Sequence, residues 1–502
     1  MIECNGYVLI FHYERIVSMK SYVRILAILL IFIMSVSVFV GCGETEPEVT
    51  TAAPDATDAT EDEYLPEIEK NNYGEEFYLN ILPDVNPMDF YWVEEAGDAV
   101  LSNALYNRQE NVRKYLGVEI VGVKTDGENR YVEPFKNAVK IKDGSVDTLV
   151  SHVYYGIDGF ITGNYLTDFQ DIPELDLYAD YWKYDVMDEI SANGHFYLGF
   201  SDFNIFYTHV ITFNKELLAR YEDQLDESLY ETVENYRWTL DKMISVAELV
   251  YIDAESNGKT DDDTFGFVTS TDYIGYAGMI QGLGIQLIEQ DDRGNYVMAI
   301  FTEKNKQKTD EAIKKLYNLV RSDFAYMPID KQPAPSMGNG RALMAINGTY
   351  WLSNILSTGV DFGVLPYPMY NEAQKEYRSL QWGGYICVPA YMGEGDRPQM
   401  IGETLEMLSY YSDEVNTAFY EKMLGKQVAD MPEDKKMLDI VWDSVCSELA
   451  LTYYSVIKDS NEYLYCLSKL TEEGTNANLS SYVAGCQTSI NNKLKKFFKS
   501  VK

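Results

Sequence analysis

Histidine is scarce in this chain, four in 502 residues, and only His152, His195 and His209 follow the apolar stretch near the N-terminus. None falls in an HExxH pattern, and neither a Gly-x-Ser-x-Gly elbow nor a P-loop occurs. The local signatures of zinc hydrolases, serine hydrolases and P-loop NTPases are thus missing. Positive charge is short as well: 41 Lys and Arg against 79 Asp and Glu leave a formal charge of -38. That balance argues against a nucleic-acid partner, whose phosphates need Lys and Arg to replace counterions. It also disfavours an anionic membrane surface, and its plain consequence is solubility and self-repulsion. The six cysteines make no zinc spacing. Cys387, Cys446, Cys466 and Cys486 leave two readings open, one disulfide among the last three or buried thiols. Long hydrophobic runs are absent too. The longest, Ile25 to Val40, is 16 residues, short of the roughly 20 that span a bilayer.

That run has the flanks of a signal peptide, with Lys20 and Arg24 before it and Ser35 and Ser37 near its end. Phe39, Val40, Gly41 and Cys42 resemble a bacterial lipobox, with Phe39 where Leu is usual. The expectation is a signal peptide over 19–41, a lipidated Cys42 and an upstream in-frame extension over 1–18. From Gly43 to Asn72 the chain is acidic, rich in Thr and Ala and nearly free of large apolar residues, so it cannot offset its own ordering entropy. Residues 42–72 are expected to form a tether with a reach of about 30 Å.

The remainder exceeds what one hydrophobic core usually supports, which predicts two lobes. Short apolar runs at 76–82, 118–123 and 147–152 predict strands. Between them Leu101, Leu105, Val112 and Leu116 recur at helical spacing, with Asp98 as the candidate N-cap and Gly117 after the end. This alternation favours an α/β lobe. Helices are predicted at 239–252, 306–323, 401–412 and 489–501. The last carries Lys493, Lys495, Lys496 and Lys499, with Lys502 just after it, and these suit the negative end of the helix dipole. Aromatics are abundant, with 41 tyrosines against 21 phenylalanines. Such rings carry a hydroxyl and suit half-wet surfaces.

One local pattern could hold a hard cation. Asp253, Glu255, Asn257, Gly258 and Asp261 alternate oxygen side chains around a glycine, like the opening of an EF-hand loop, but Thr264 stands where its closing glutamate belongs. A calcium site and an Asx-rich turn both fit.

The stretch MGNGRALMAINGTYWLSN (337–354), followed by VDFGVLPYP (360–368), resembles the extracellular solute-binding proteins of the maltose-binding type. GHFYLGF (194–200), ITFNKELL (211–218) and YRWTLDKMISVAELV (236–250) agree in order, with Thr239 a candidate N-cap. The resemblance spans about 75 to 500. It implies a two-lobed periplasmic-binding-protein-like fold of type II, with a hinge of several crossings: lobe one over 73–204 and 362–410, lobe two over 205–361 and 411–502. It further implies an importer subunit, monomeric and lipid-anchored outside the cytoplasmic membrane, that captures a sugar or oligosaccharide for ABC permease subunits. No cofactor is implied beyond the possible Ca2+. Carried over by position, the ligand-binding set is Tyr350, Trp351, Trp382, Tyr154, Tyr155, Asp158, Asp202 and Phe203. For each ring, packing within or between lobes is the competing role. Two other functions stay open. An extracellular glycan-active enzyme is one, since carboxylate pairs abound; a polysaccharide-holding lipoprotein without transport is the other.

Overall fold

The computed structural model describes residues 66–82, 88–124, 132–152, 156–204, 207–269, 273–299, 302–328, 333–425, 428–457 and 480–501. The expected signal peptide, Cys42, most of the expected tether, Tyr154, Tyr155 and Cys466 lie outside the described residues.

Two sheets organise the chain. In the first, β1 (Glu75–Ile81) lies between β2 (Val118–Lys124) and β3 (Thr148–Ser151), parallel to both. The alternation of β1 buries Phe77, Leu79 and Ile81. The helix Val100–Leu116 connects β1 to β2, burying Leu101, Leu105, Val112 and Leu116 as their spacing predicts. Gly117 closes it at φ 67, a left-handed conformation that costs glycine little. At the other end the N-cap is Ala99 and no side chain caps the helix, so Asp98 does not fill the expected role.

The second sheet contains β4 (His209–Asn214), β5 (Tyr251–Ile252), β6 (Thr264–Val268), β9 (Ala325–Tyr326), β10 (Ala342–Gly348) and β11 (Phe362–Leu365). β4 runs antiparallel between β10 and β11, and β10 continues parallel onto β6. The hairpin β7 (Ile288–Gln290) with β8 (Tyr296–Met298) stands apart from it. The predicted helix at 239–252 is shorter, Leu240–Ala247, because Tyr251 and Ile252 pair with β6 as a strand. Thr239 does cap it, accepting from the Lys242 N–H at 3.2 Å.

β11 belongs to the second sheet, so the chain rejoins the first only at β13 (Tyr385–Cys387), antiparallel to β3. Before that, β12 (Ser379–Leu380) pairs with β14 (Val445–Cys446). The outgoing and returning segments run side by side. Gly199 and Ile386 exchange backbone hydrogen bonds of 2.8 and 2.9 Å, Asn204 donates to the Gly384 carbonyl at 2.8 Å, and the Trp382 N–H donates to the Tyr207 carbonyl at 2.8 Å. The helix Asp413–Leu424 packs on Val100–Leu116 of the first lobe and on Leu352–Leu356 of the second.

The final helix, Ser480–Ser500, buries Ile490, Leu494 and Phe498 and leaves Lys495, Lys496 and Lys499 exposed. Its apolar face is therefore occupied by the protein itself. Cys387 and Cys446 are buried free thiols, and Cys486 is buried as well. Among the described residues no helix is long and apolar enough to cross a membrane.

Candidate functional site

Strands in open α/β sheets deliver loops at their carboxyl ends, where ligands bind beside a change of strand order. Here β3 ends at Ser151, just before His152, and β10 ends at Gly348; His152 meets the second crossing at Trp382, and Thr349 meets the first at Thr208. After Gly348 the chain turns through a short 3-10 segment, Thr349–Trp351. A Cβ on Gly348 would lie 3.2 Å from Trp351 Cδ1, so the glycine lets that indole fold back along the strand. Reciprocal bonds lock the turn to the first crossing: the Thr349 N–H donates to the Thr208 carbonyl at 2.8 Å, and the Thr208 N–H donates to Thr349 Oγ1 at 3.2 Å.

This brings rings together from four parts of the chain. Tyr350 lies 5.8 Å edge-on from Phe90 of the loop after β1, 5.8 Å from Tyr207 of the first crossing and 5.1 Å from Trp351. Phe90 in turn contacts Phe419, at 5.3 Å, and lies under the Lys422 ammonium, at 4.4 Å. Tyr350 is half-buried among these rings, whereas Trp351 is 51% exposed and offers the open face. Trp382 stands on the second crossing with its ring 4.9 Å edge-on from His152. The Trp382 carbonyl can only accept, so the 3.0 Å contact assigns the proton to His152 Nε2. Burial depresses the His152 pKa to about 4 and keeps the ring neutral near pH 7, although the bond to Trp382 opposes the shift.

Tyr350, Trp351 and Trp382 are thus placed around one junction. Phe90, Tyr207 and Phe419 were missed by the sequence reading, because each is an ordinary aromatic whose partners are remote in sequence. Two expected residues have other work. Phe203 is 2% exposed and packs between the Arg108 guanidinium, 4.5 Å away, and Tyr91, 5.5 Å away, so it presents no face to a solute. Asp202 pairs with Lys183 at 3.2 Å and accepts from the Trp442 indole N–H, also at 3.2 Å. Burial raises its carboxyl pKa against that pairing. Trp442 belongs to the helix Pro432–Asp443, which packs on β11, so Asp202 ties the hinge to the second lobe. Asp158 accepts from the Ser455 hydroxyl.

The calcium-like loop is closed by its own backbone. Asp253 accepts from the N–H groups of Asn257 and Gly258 at 3.1 and 3.2 Å, and Asp263 from those of Ala254 and Thr260, both at 2.8 Å. Asn257 donates to Glu255, and the Asp261 carbonyl accepts from Arg341. Among the described residues no three acidic, His or Cys side chains come together as a metal site. The Asx-turn reading accounts for these bonds of Asp253, Glu255, Asn257 and Asp261.

The sequence matches no protein-family model and no curated protein. Solved structures do match. The maltose-binding protein MalE of Listeria monocytogenes, in complex with maltose, superposes with TM-score 0.53 at 12% identity, over 84% of this chain and 99% of that one. The ABC substrate-binding protein Lmo0181 of the same organism, in complex with cycloalternan, gives TM-score 0.50 at 14% identity, over 85% and 98%. The expected two-lobed α/β fold of the maltose-binding type is the observed one.

Proposed function

We propose that this protein is the extracellular solute-binding component of an ABC importer and that its solute is a sugar or oligosaccharide. The observation that carries this reading is the convergence of Tyr350, Trp351, Tyr207 and Trp382 at the carboxyl ends of β3 and β10, where the two crossings join the lobes. Aromatic faces take the C–H faces of a pyranose, and the hydroxyl of a tyrosine adds a polar partner. A solute touching both lobes favours their closed arrangement by its differential affinity. Tyr154 and Tyr155 follow β3 in sequence and belong to the proposed set, as does Asp158.

The reading is tested by a thermal-shift screen of mono- and oligosaccharides, since a ligand of the folded state alone raises its apparent stability. The decisive variant is Trp351→Ala. Its ring is half exposed, so the expected outcome is an unchanged melting temperature and a loss of about 1–3 kcal/mol in sugar affinity. Unchanged affinity for a confirmed sugar would remove Trp351 from the site. A bound oligosaccharide is expected back intact after incubation, and its hydrolysis would favour the enzyme reading instead.

We further propose that Cys42 is the lipidated N-terminus of the mature chain, held outside the cytoplasmic membrane beside the permease subunits. Cys42→Ala is expected to leave an unlipidated protein in the soluble fraction. Mass spectrometry of the N-terminus checks it, and an intact leader in the wild type would overturn it.

A further inference from the structure

A concavity of about 690 Å3 opens in the second lobe, between residues 284–289, the first turn of the helix Lys306–Arg321 and residues 370–378. That volume is in the range of small-molecule sites. Its lining reverses the charge of the chain: Lys304, Lys308 and Arg378 face it against Glu289 and Glu376, whereas acids outnumber bases 79 to 41 overall.

The carboxylates in the lining are already engaged. Glu289 accepts from Thr302 Oγ1 at 3.0 Å and from Asn305 Nδ2 at 3.3 Å, with the Lys304 ammonium at 3.6 Å. Glu376 has its own interactions and acts on Arg378. The cations are less well matched. Lys308 donates to the Gly284 carbonyl at 3.1 Å, and no carboxylate of the described residues lies within ion-pair distance of it. Burial and the facing Arg378 charge both lower its pKa, which marks the two cations as neighbours that repel. Arg378 pairs with Glu189 through Nη2, but its buried Nε has no partner.

The helix that enters the cavity adds to this field. Its first turn holds no acidic residue, and Lys306 and Lys308 sit against the positive end of the helix dipole. In so acidic a protein, an anion near these groups would relieve both repulsions. Tyr370 contributes a ring 5.2 Å from the Lys308 ammonium, and the Gln286 and Asn371 amides also line the cavity.

We propose that this concavity is a second ligand site, separate from the ring cluster, which takes the oxyanion of a small hydroxylated solute between Lys308 and Arg378. Its hydroxyl groups meet the amides of Gln286 and Asn371. The shared chemistry is the oxyanion, whether the carboxylate of an acidic sugar or a phosphate. This does not rest on the sugar reading of the junction, whose rings are not part of the lining.

Titration calorimetry of the mature chain in low-salt buffer with inorganic phosphate, glucuronate and glucose tests it. Either anion is expected to bind, with affinity about tenfold or more weaker in Lys308→Gln, the loss of a charge-assisted hydrogen bond. Trp351→Ala is expected to leave phosphate binding unchanged. Tighter glucuronate than phosphate assigns the site to an acidic sugar, and equal affinities assign it to the oxyanion alone. The proposal is overturned if neither anion binds at millimolar concentration, or if Lys308→Gln binds them as the wild type does.

Discussion

Truncating Trp238 to alanine is expected to cost about 3–5 kcal/mol of stability, the range for a large aromatic removed from a packed interior. The side chain is fully buried, and its indole N–H donates to the Pro366 carbonyl at 2.9 Å. Its backbone is engaged with the same segment: the Trp238 carbonyl accepts from the Met369 N–H at 3.0 Å, and the Met369 carbonyl accepts from Leu240 at 2.8 Å. One residue therefore fixes the start of the helix Leu240–Ala247 to the exit of β11. Alanine leaves a cavity and takes the donor from Pro366, so two penalties add. Trp238→Phe keeps most of the ring and is expected to cost less. Denaturant melts measure both, and a loss below about 1 kcal/mol for alanine would show that the segment collapses onto the space.

The same stretch shows what could be read in advance. Thr239 is a legible N-cap because a β-region threonine before a helical period offers its hydroxyl to N3, and that bond forms. The apolar run ALMAI lies in β10, every residue of which is buried, because continuous apolar runs survive only between covering layers. The helix end at Ala247 was hidden: Tyr251 and Ile252 fit a helical period, and only the edge of β6 makes them a strand. Local pattern cannot report a partner that arrives from elsewhere.

The site obeys the same limit. The resemblance named Tyr350 and Trp351 as candidates. Phe90, Tyr207 and Phe419 acquire meaning only when β1, the first crossing and the helix Asp413–Leu424 fold onto that turn. The resemblance put Asp202 in the ligand-binding set, but Lys183 pairs with it and the Trp442 indole N–H donates to it. The acidic loop before β6 had the residue types of a cation site. Its two most engaged carboxylates, Asp253 and Asp263, had nearer partners in backbone N–H groups.

Acidification is expected to destabilise the protein through His152, and the effect is separable by one substitution. In the folded state burial holds its pKa near 4, against an ordinary value of 6.5. Between these values the unfolded chain binds a proton that the folded chain refuses, so stability falls as pH falls. The contribution is fully present above pH 6.5 and is lost on the way down to about pH 4, roughly 3 kcal/mol in all. Glu448 works in the opposite sense. Burial raises its pKa to about 7, against N–H bonds from Leu287, Ile288 and Ala450, so its contribution is present below 4.5 and lost as pH rises through 7. The net profile of the wild type mixes the two, but the difference from His152→Gln isolates the first. Glutamine retains a donor for the Trp382 carbonyl and cannot titrate. The expected result is a gap between wild type and variant that shifts in favour of the variant by about 3 kcal/mol from pH 7 to pH 4. Parallel profiles would mean that His152 is already charged, or open to water, beside the second crossing. A charged ring there would still donate to Trp382, but it would bring a cation to the junction where the rings converge.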